Sequence, residues 1–341
     1  MKKIIVDTLG ADCDAYELAY GGALIAKHHP DLQIILVGPK DMLSKAVMAV
    51  GIDVSRINIL ETDLAFGMKE NPKLLLDPKN HSSLALSLSC LKEDKEAFAL
   101  ISAGSTGGLM VGSIFRLGLL GKLKIPALGA LLLSFDGQPF ALVDCGANLD
   151  VSSHDLVKFA AMGNALMQAR FGLSSPRVAL LNVGVEENKG DATLREAYQT
   201  LKASSLHFIG NIEGGDLYRG KADVVVTNGM TGNIVLKLAE SMGIYASQIA
   251  ASLKEDPSSA ILAKKIYRNF AYTEEGASIL LGTRKICLKC HGSAKRQSIA
   301  ETGEWALRLE EHRFIPSLTE ALNKNEDSFS SNEASLATMA H

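Results

Sequence analysis

The sequence has no apolar run near the roughly 18 residues that a membrane-spanning helix needs, which argues against an integral membrane protein. Cysteine is also scarce. Five cysteines stand at scattered spacings among 341 residues, so no disulfide framework is predicted. The opening Met1-Lys2-Lys3, followed by only three apolar residues, is too short for a secretory signal. These features predict a cytoplasmic protein with reduced thiols.

An excess of one charge sign is missing as well. The net charge is −3, so no global field attracts nucleic acid, and an acidic partner would need a local basic patch. Neither a Walker A loop nor a G-x-G-x-x-G fingerprint occurs, so a standard nucleotide site is not indicated. The hydrophobic fraction of 47% is ordinary for a globular chain.

Short apolar runs alternate with longer amphipathic stretches such as Asp155–Arg170 and Gly232–Leu253. This alternation predicts an α/β layered fold with a mainly parallel sheet, in one large domain or two modest ones. The predicted strands are Lys3–Val6, Gln33–Val37, Phe98–Ile101, Phe140–Val143, Val178–Asn182 and Ala222–Val226.

Four of these runs lead into loops of Gly, Asn, Ser and Thr, which begin at Ser102, Asp144, Gly184 and Thr227. In a parallel sheet such loops share the carboxyl edge, where ligands of open α/β folds bind. Glycines let backbone amides approach a ligand, and the helix N-termini that follow favour an anion. The pattern therefore indicates a phosphate site, although ordinary turns use the same residues.

The segment Cys287-Leu288-Lys289-Cys290-His291 fits the C-x-x-C-H pattern of haem attachment. It also reads as a strand over Lys285–Lys289, and residues three apart on a strand point to opposite faces. The two thiols are therefore not expected to share a ligand, and no second Cys/His pair completes a zinc site. His291 is of more interest as the start of a strand-to-helix turn.

Seven segments follow one another at specific spacing over about Lys3 to Ile299. They are Val6–Asp12, Ser102–Met110, Asp144–Asp150, Leu180–Gly190, Phe208–Gly214, Asp223–Lys237 and His291-Gly292-Ser293. Each alone is a weak signal, but in this order they make the chain resemble the bacterial phosphate acyltransferase family (PlsX).

The resemblance implies a three-layer α/β/α fold similar to phosphotransacetylases and isocitrate-type dehydrogenases. It implies an enzyme that moves the acyl group of acyl carrier protein (ACP) onto inorganic phosphate, with no organic cofactor. No metal is expected either, because the Cys/His pattern completes no site. The resemblance further implies a homodimer that feeds phospholipid synthesis at the inner face of the cell membrane, where a downstream acyltransferase uses the acyl phosphate. We expect one catalytic domain over residues 1–322, a distinct helical segment near 254–272 and a flexible tail over 323–341.

Five positions depart from the family pattern, and the changes at Ala11 and Gly108 are mild. Ser105 stands where the family usually has Asn, Asp77 where it tends to have Arg, and Asn228 where it has Asp. The change at Asn228 matters most, because Asn replaces a charged acceptor with a donor of two hydrogens.

The chemistry needs positioning and electrostatics more than acid–base catalysis. Phosphate is largely dianionic near pH 7, and a thiol of pKa about 8.5 leaves readily. Lys189, Asn228 and His291 are the predicted catalytic residues, with Lys189 as the phosphate cation. The predicted substrate-binding residues are Asp7, Gly10, Asp12, Ser105, Thr106, Gly107, Asn148, Asp150, Glu187, Asn211, Glu213, Gly229, Gly232, Asn233, Gly292 and Ser293.

Two basic surfaces are predicted. One runs from Arg284 to Arg296 without an acidic residue and is a candidate dock for acidic ACP. The other places Lys264, Lys265 and Arg268 beside an apolar helix face, which fits contact with anionic lipid or packing in a dimer.

Other functions stay open at this point. A phosphotransacylase that uses acyl-CoA or short acyl groups fits the same loops, and a catalytically weakened scaffold for lipid synthesis fits Asn228 and Asp77. A nicotinamide dehydrogenase fits least, because the dinucleotide fingerprint is missing.

Overall fold

The computed structural model describes residues 1–252, 258–270 and 277–324, apart from the side chains of residues 267–269. Within these ranges the chain is an α/β protein. Its strands are β1 (Lys2–Asp7), β2 (Leu32–Gly38), β3 (Ile57–Glu61), β4 (Ala97–Ser102), β5 (Ala127–Leu133), β6 (Pro139–Val143), β7 (Val178–Leu181), β8 (Phe208–Ile212), β9 (Val224–Val226), β10 (Ala277–Leu281) and β11 (Ile286–Cys290).

Helices follow most of the strands. They are α1 (Ala15–His28), α2 (Lys40–Val50), α3 (Ser83–Glu93), α4 (Thr106–Arg116), α5 (Ser153–Phe171), α6 (Ala192–Lys202), α7 (Gly229–Ser252), α8 (Ser259–Phe270) and α9 (Arg296–Glu311), and residues 314–324 are largely helical too. Among the described helices, none combines the length and the apolar character that crossing a membrane requires.

The chain divides into two compact units. The first holds residues 1–120 and 272–310, with strand order β3-β2-β1-β4-β11-β10. These strands run parallel except for the antiparallel pair β10–β11. Helices cover both faces of β11, because Cys287 reaches Ser113 of α4 and Cys290, three residues on, reaches Thr302 of α9. The two thiols of the C-x-x-C-H segment therefore point apart, as predicted.

The second unit holds residues 121–271 and 311–341, with strand order β5-β6-β9-β7-β8. Here β6, β9, β7 and β8 run parallel, and β5 pairs antiparallel with β6. In each unit the parallel strands bring their carboxyl ends, and the loops that follow them, to one edge of the sheet.

All six predicted strands are present, and the predicted strand over Lys285–Lys289 is β11, displaced by one residue. The apolar pattern missed β3, β5, β8 and β10. The edge strands β3 and β8 mix buried with exposed positions, so neither has a continuous apolar run. The run in β5 is apolar, but periodicity alone does not separate such a run from a buried helix.

Part of the predicted helical segment near 254–272 is α8. Its expected start at Asp256-Pro257 and the side chain of Arg268 lie outside the described residues, as does the expected tail from residue 325 onward.

Candidate active site

The predicted site residues lie at the carboxyl edges of the parallel strands, in two groups that belong to different units. The group in the first unit is Asp7, Gly10, Asp12, Ser105, Thr106, Gly107, His291, Gly292 and Ser293. The group in the second unit is Asn148, Asp150, Glu187, Lys189, Asn211, Glu213, Asn228, Gly229, Gly232 and Asn233.

In the first unit, the turn after β4 begins helix α4. Ser105 is the N-cap residue, and its Oγ accepts a hydrogen bond of 3.2 Å from the Gly108 N–H. Thr106 and Gly107 occupy the first helical positions, where backbone N–H groups have no partner within the helix. Serine and asparagine cap helices about equally well, so the departure from the family Asn preserves this geometry.

His291 begins the turn after β11. The Ser293 N–H donates to His291 Nδ1 at 3.2 Å, and Ser293 Oγ lies 2.8 Å from the same nitrogen. A backbone N–H can only donate, so Nδ1 accepts, and a neutral imidazole carries its proton on Nε2. His291 is exposed, and it therefore presents an Nε2–H donor to its surroundings.

Asp7 ends β1 with its carboxylate buried, only 1% of the residue being exposed. Oδ2 accepts a hydrogen bond of 2.8 Å from Ser102 Oγ, and Oδ1 lies 3.4 Å from the Leu9 N–H. Burial raises the pKa of Asp7 to about 6, although the Ser102 hydroxyl and the positive charge of Lys289 act in the opposite direction.

The loop after β1 contacts the turn after β11. The Asp12 N–H donates to the Gly292 carbonyl oxygen at 2.9 Å. Gly10 has a left-handed φ of 76°, and a Cβ there would come within 2.6 Å of the Phe66 carbonyl oxygen. Glycine at position 10 is thus required by both its backbone conformation and the space available.

In the second unit, the loop after β6 is organised by the buried carboxylate of Asp144. Oδ1 accepts from the N–H groups of Leu128, Gly146 and Ala147 at 3.0–3.1 Å. Oδ2 accepts from both the backbone N–H and the side-chain Nδ2 of Asn148 at 2.8 Å. The Asn148 amide also donates to the Pro126 carbonyl oxygen at 2.7 Å, so both of its hydrogens are used to shape the loop.

Helix α7 begins against this loop. The Gly229 N–H donates to the Asn148 carbonyl oxygen at 2.7 Å. A Cβ at Gly229 would lie 2.5 Å from that oxygen, and one at Gly232 would overlap the Asp144 carbonyl oxygen. Asn228 precedes the helix, and its Oδ1 accepts from the Thr231 N–H at 2.8 Å. The Asn228 side chain therefore serves as an N-cap.

Asn228→Asp should change turnover by no more than about tenfold, or roughly 1.4 kcal/mol of barrier. The reason is that Asp caps a helix as well as Asn does, so the hydrogen bond to the Thr231 N–H is kept. The measurement is kcat with phosphate and an acyl thioester, beside the native protein. An inert native protein that gains several orders of magnitude from this change would show that a carboxylate must act at position 228.

The loop after β7 carries Lys189, whose side chain is exposed. A Cβ at Gly184 would come within 3.0 Å of Lys189 Cγ, so the lysine stem lies over that glycine. Glu187 pairs with Lys202 at 2.7 Å, which lowers the pKa of Glu187. Asn211, at the end of β8, donates through Nδ2 to the Glu186 carbonyl oxygen at 2.9 Å and so supports the loop.

A cavity of about 220 Å³ lies beside Asn228 within the second unit. Asp150 and Thr231 line it together with apolar residues, among them Leu149 and Leu194. Glu213 and Asn233 are exposed, and neither lines this cavity.

Comparisons with known proteins agree with these segments. The model of a family described as "Fatty acid synthesis protein" matches residues 2–316. The phosphate acyltransferase of Heliobacterium modesticaldum is 35% identical over 327 residues, 93% of this chain and 97% of that protein. That of Syntrophomonas wolfei is 34% identical over 299 residues, 87% of this chain and 91% of that protein. The chain belongs to the phosphate acyltransferase family.

Solved structures place this family member on the predicted fold. A phosphotransacetylase from Streptococcus pyogenes matches with a TM-score of 0.61 at 13% identity, over 94% of both chains. A branched-chain phosphotransacylase from Enterococcus faecalis matches with a TM-score of 0.56 at 15% identity, over 90% of this chain and 98% of that one. At these identities the likeness concerns the fold alone.

The predicted ACP dock of this acyltransferase needs correction. Lys289, expected on its surface, is only 7% exposed, because it lies within the buried strand β11. Arg296 pairs with Glu17 and stacks on Tyr20. Arg284 and Lys295 are exposed but lie beyond opposite ends of β11, so the five cations do not form one continuous surface.

The sequence pattern also missed two residues of the site region. The pattern predicts Asp144 only as the first residue of a loop, although an Asp directly after an apolar strand, here in Asp-Cys-Gly-Ala-Asn, often accepts hydrogen bonds from the backbone of the loop that follows. The charge pattern places Lys289 among its basic neighbours. The signal that could have found it is its position among four apolar residues of a buried strand.

Proposed function

We propose that this acyltransferase converts long-chain acyl-ACP and inorganic phosphate to acyl phosphate and free ACP, for phospholipid synthesis. A phosphate oxygen attacks the thioester carbonyl carbon, the new C–O bond forms, and the C–S bond then breaks to release the ACP thiol. The observation that carries the proposal is the set of helix-starting turns at the strand ends, a geometry that suits an anion, in a chain of the phosphate acyltransferase family. The fatty acid synthesis description of the family supports a fatty acyl donor.

The two groups carry different kinds of hydrogen-bond donor, each within its own unit. The second unit offers Lys189, a full positive charge that suits the phosphate dianion. The first unit offers neutral donors, which are the N–H groups of Thr106 and Gly107 and the Nε2–H of His291. Neutral donors suit the developing oxyanion and the departing sulfur, because both gain charge only in the transition state.

The deciding experiment measures acyl phosphate from matched palmitoyl-ACP, palmitoyl-CoA and acetyl-CoA with phosphate. We expect the highest kcat/KM with palmitoyl-ACP. A higher kcat/KM with either CoA thioester would favour a phosphotransacylase that uses acyl-CoA or short acyl groups. ACP binding without turnover of any donor would favour a scaffold.

Lys189→Ala should lower kcat/KM for phosphate about hundredfold, because it removes the charge assigned to phosphate. The side chain is exposed, so the fold should stay intact. Phosphate saturation curves, with circular dichroism as the check on folding, give the measurement. Lys124→Ala serves as the matched control, since Lys124 is an exposed lysine of the same unit that lies in none of the loops with predicted site residues. Unchanged phosphate kinetics in the Lys189 variant would remove this residue from the proposal.

Lys295→Glu should raise the KM for acyl-ACP about fivefold at low salt, and the effect should shrink as salt screens the charge. Lys295 follows the His291 turn, where the acyl donor is proposed to bind, whereas Arg284 precedes β11 at its other end. Arg284→Glu is therefore the control, with an expected change below about 1.5-fold. Equal effects of the two variants would show that ACP does not dock beside the His291 turn.

The proposed assembly is a homodimer, supported by an apolar stripe along α7. Its members recur every three or four residues and are exposed; they are Met230, Ile234, Leu238, Met242, Tyr245 and Ile249.

On α8, exposed Ile261 and Leu262 accompany the exposed Lys264 and Lys265, which supports peripheral contact with an anionic membrane. At that membrane a downstream acyltransferase would receive the acyl phosphate from this protein, which is proposed to be cytoplasmic. Sedimentation of the protein alone tests the dimer, and sedimentation with anionic vesicles tests the membrane contact.

A further inference from the structure

Three polar residues lie side by side in the buried sheet of the first unit. Asp7 of β1 is in register with Ser102 of β4, and Ser102 is in register with Lys289 of β11. In-register residues of parallel strands share one face, so these side chains lie in a row. All three are buried, with 1%, 0% and 7% of their surfaces exposed.

The three side chains bond to one another or to the backbone of the turns that follow β1, β4 and β11. Asp7 Oδ2 accepts from Ser102 Oγ at 2.8 Å, and Ser102 Oγ in turn accepts from the Gly104 N–H at 3.2 Å. Lys289 Nζ donates to the carbonyl oxygens of Ala103, at 3.3 Å, and Cys290. The ammonium thus joins the turn before α4 to the turn that begins at His291.

This arrangement costs stability. Burying a carboxylate and an ammonium removes both from water, and buried ion pairs are often no more stable than apolar residues of the same volume. A core built for stability alone would favour apolar side chains here, as at the neighbouring Leu100 and Leu288. The polar row therefore calls for a role beyond packing.

We propose that Asp7, Ser102 and Lys289 form a buried positioning network that holds the Thr106–Gly107 and His291 donors in the geometry that stabilises the transition state. None of the three needs to touch the substrate. The inference rests on the proposed function, since it concerns the turns that are assigned there to the oxyanion and the leaving sulfur.

The test compares Lys289→Met with Lys3→Met in the full-length protein, using palmitoyl-ACP and phosphate. Lys3 is the matched control because it is a partly buried lysine of the same sheet that pairs with Asp94 at the far end of β1, 2.6 Å away. Acyl phosphate is trapped with hydroxylamine, and kcat and both KM values are measured. A second variant, Asp7→Asn/Lys289→Met, removes both charges together in case the single change prevents folding.

We expect Lys289→Met to lower kcat at least tenfold while both KM values stay within about twofold, because donors that act only in the transition state affect kcat alone. Lys3→Met should keep all three values within about twofold. The doubly neutral variant should fold and show the same loss of kcat.

Native kcat in Lys289→Met or in the doubly neutral variant would overturn the inference. So would a rise of both KM values with unchanged kcat, or failure of both variants to fold, since either would show a role in the fold alone. A native protein that makes no acyl phosphate would overturn the proposed function and this inference with it. An active native protein with unaffected variants overturns only the inference.

Discussion

Asp144→Ala is expected to lower the free energy of unfolding by about 4 kcal/mol and to abolish measurable turnover. The Asp144 carboxylate accepts hydrogen bonds from five N–H groups, and removing it leaves each of them without its acceptor. Because Asn148 also holds the start of α7 through the Gly229 N–H, the loss should spread to the Asn228 cap. Urea unfolding gives the energy, and the acyl phosphate assay gives the turnover.

Asp136→Ala is the matched control for this result. Asp136 is an exposed aspartate in the turn between β5 and β6 of the same unit, and its removal should change stability by less than about 0.5 kcal/mol. A loss below about 1 kcal/mol for Asp144→Ala would mean that water replaces the carboxylate at little cost. The loop would then not depend on it.

Asp7→Asn is expected to have the opposite effect on stability, raising the free energy of unfolding by about 3 kcal/mol near pH 7 while lowering turnover. Burial raises the pKa of Asp7 to about 6 from an ordinary 3.8, so the folded protein disfavours the charged carboxylate. Asparagine has a similar size and is neutral at every pH. The main charged group that acts on Asp7 is Lys289, and its attraction already contributes to the pKa of about 6.

The sign of the pH dependence follows from the direction of the shift. A raised pKa means that Asp7 contributes most to stability below pH 3.8 and that this contribution is lost as the pH rises through about 6. The difference between Asp7→Asn and the native protein should therefore be near half its full size at pH 5 and complete above pH 7.

Urea unfolding at several pH values between 5 and 8 measures this difference, with Asp94→Asn as the control. Lys3 lowers the pKa of Asp94, so that substitution should destabilise the protein rather than stabilise it. A destabilised Asp7→Asn variant would show that the attraction of Lys289 and the hydrogen bonds to the carboxylate outweigh the cost of burying it.

Much of the fold could be predicted from the sequence, because the buried parallel strands are nearly pure apolar runs. Val178–Leu181 and Val224–Val226 are buried at every position, and such runs stand out from their surroundings. The edge strand Ile57–Glu61 could not be found in this way, since its burial alternates irregularly along the strand. Edge strands are fixed by pairing with a neighbour, which a local pattern does not contain.

The site was predictable to the level of loops and not of individual contacts. The sequence placed Asn148 and Asn228 in ligand-binding loops, but the structure shows the hydrogens of Asn148 occupied and Asn228 acting as a helix cap. A lysine in a basic stretch is predicted to be exposed, whereas strand register sets Lys289 beside Ser102 in the buried sheet. Register depends on partners far away in the chain.

The burial of the cysteines has a practical consequence for following the reaction by light absorption. Cys145, Cys287 and Cys290 are sealed within the protein, and burial raises the pKa of all three thiols. Burial also raises the pKa of the partly exposed Cys13 and Cys90, so little reactive thiolate forms near neutral pH. A chromogenic disulfide reagent would therefore record the thiol that the proposed reaction releases from its acyl thioester, against a low background from the enzyme.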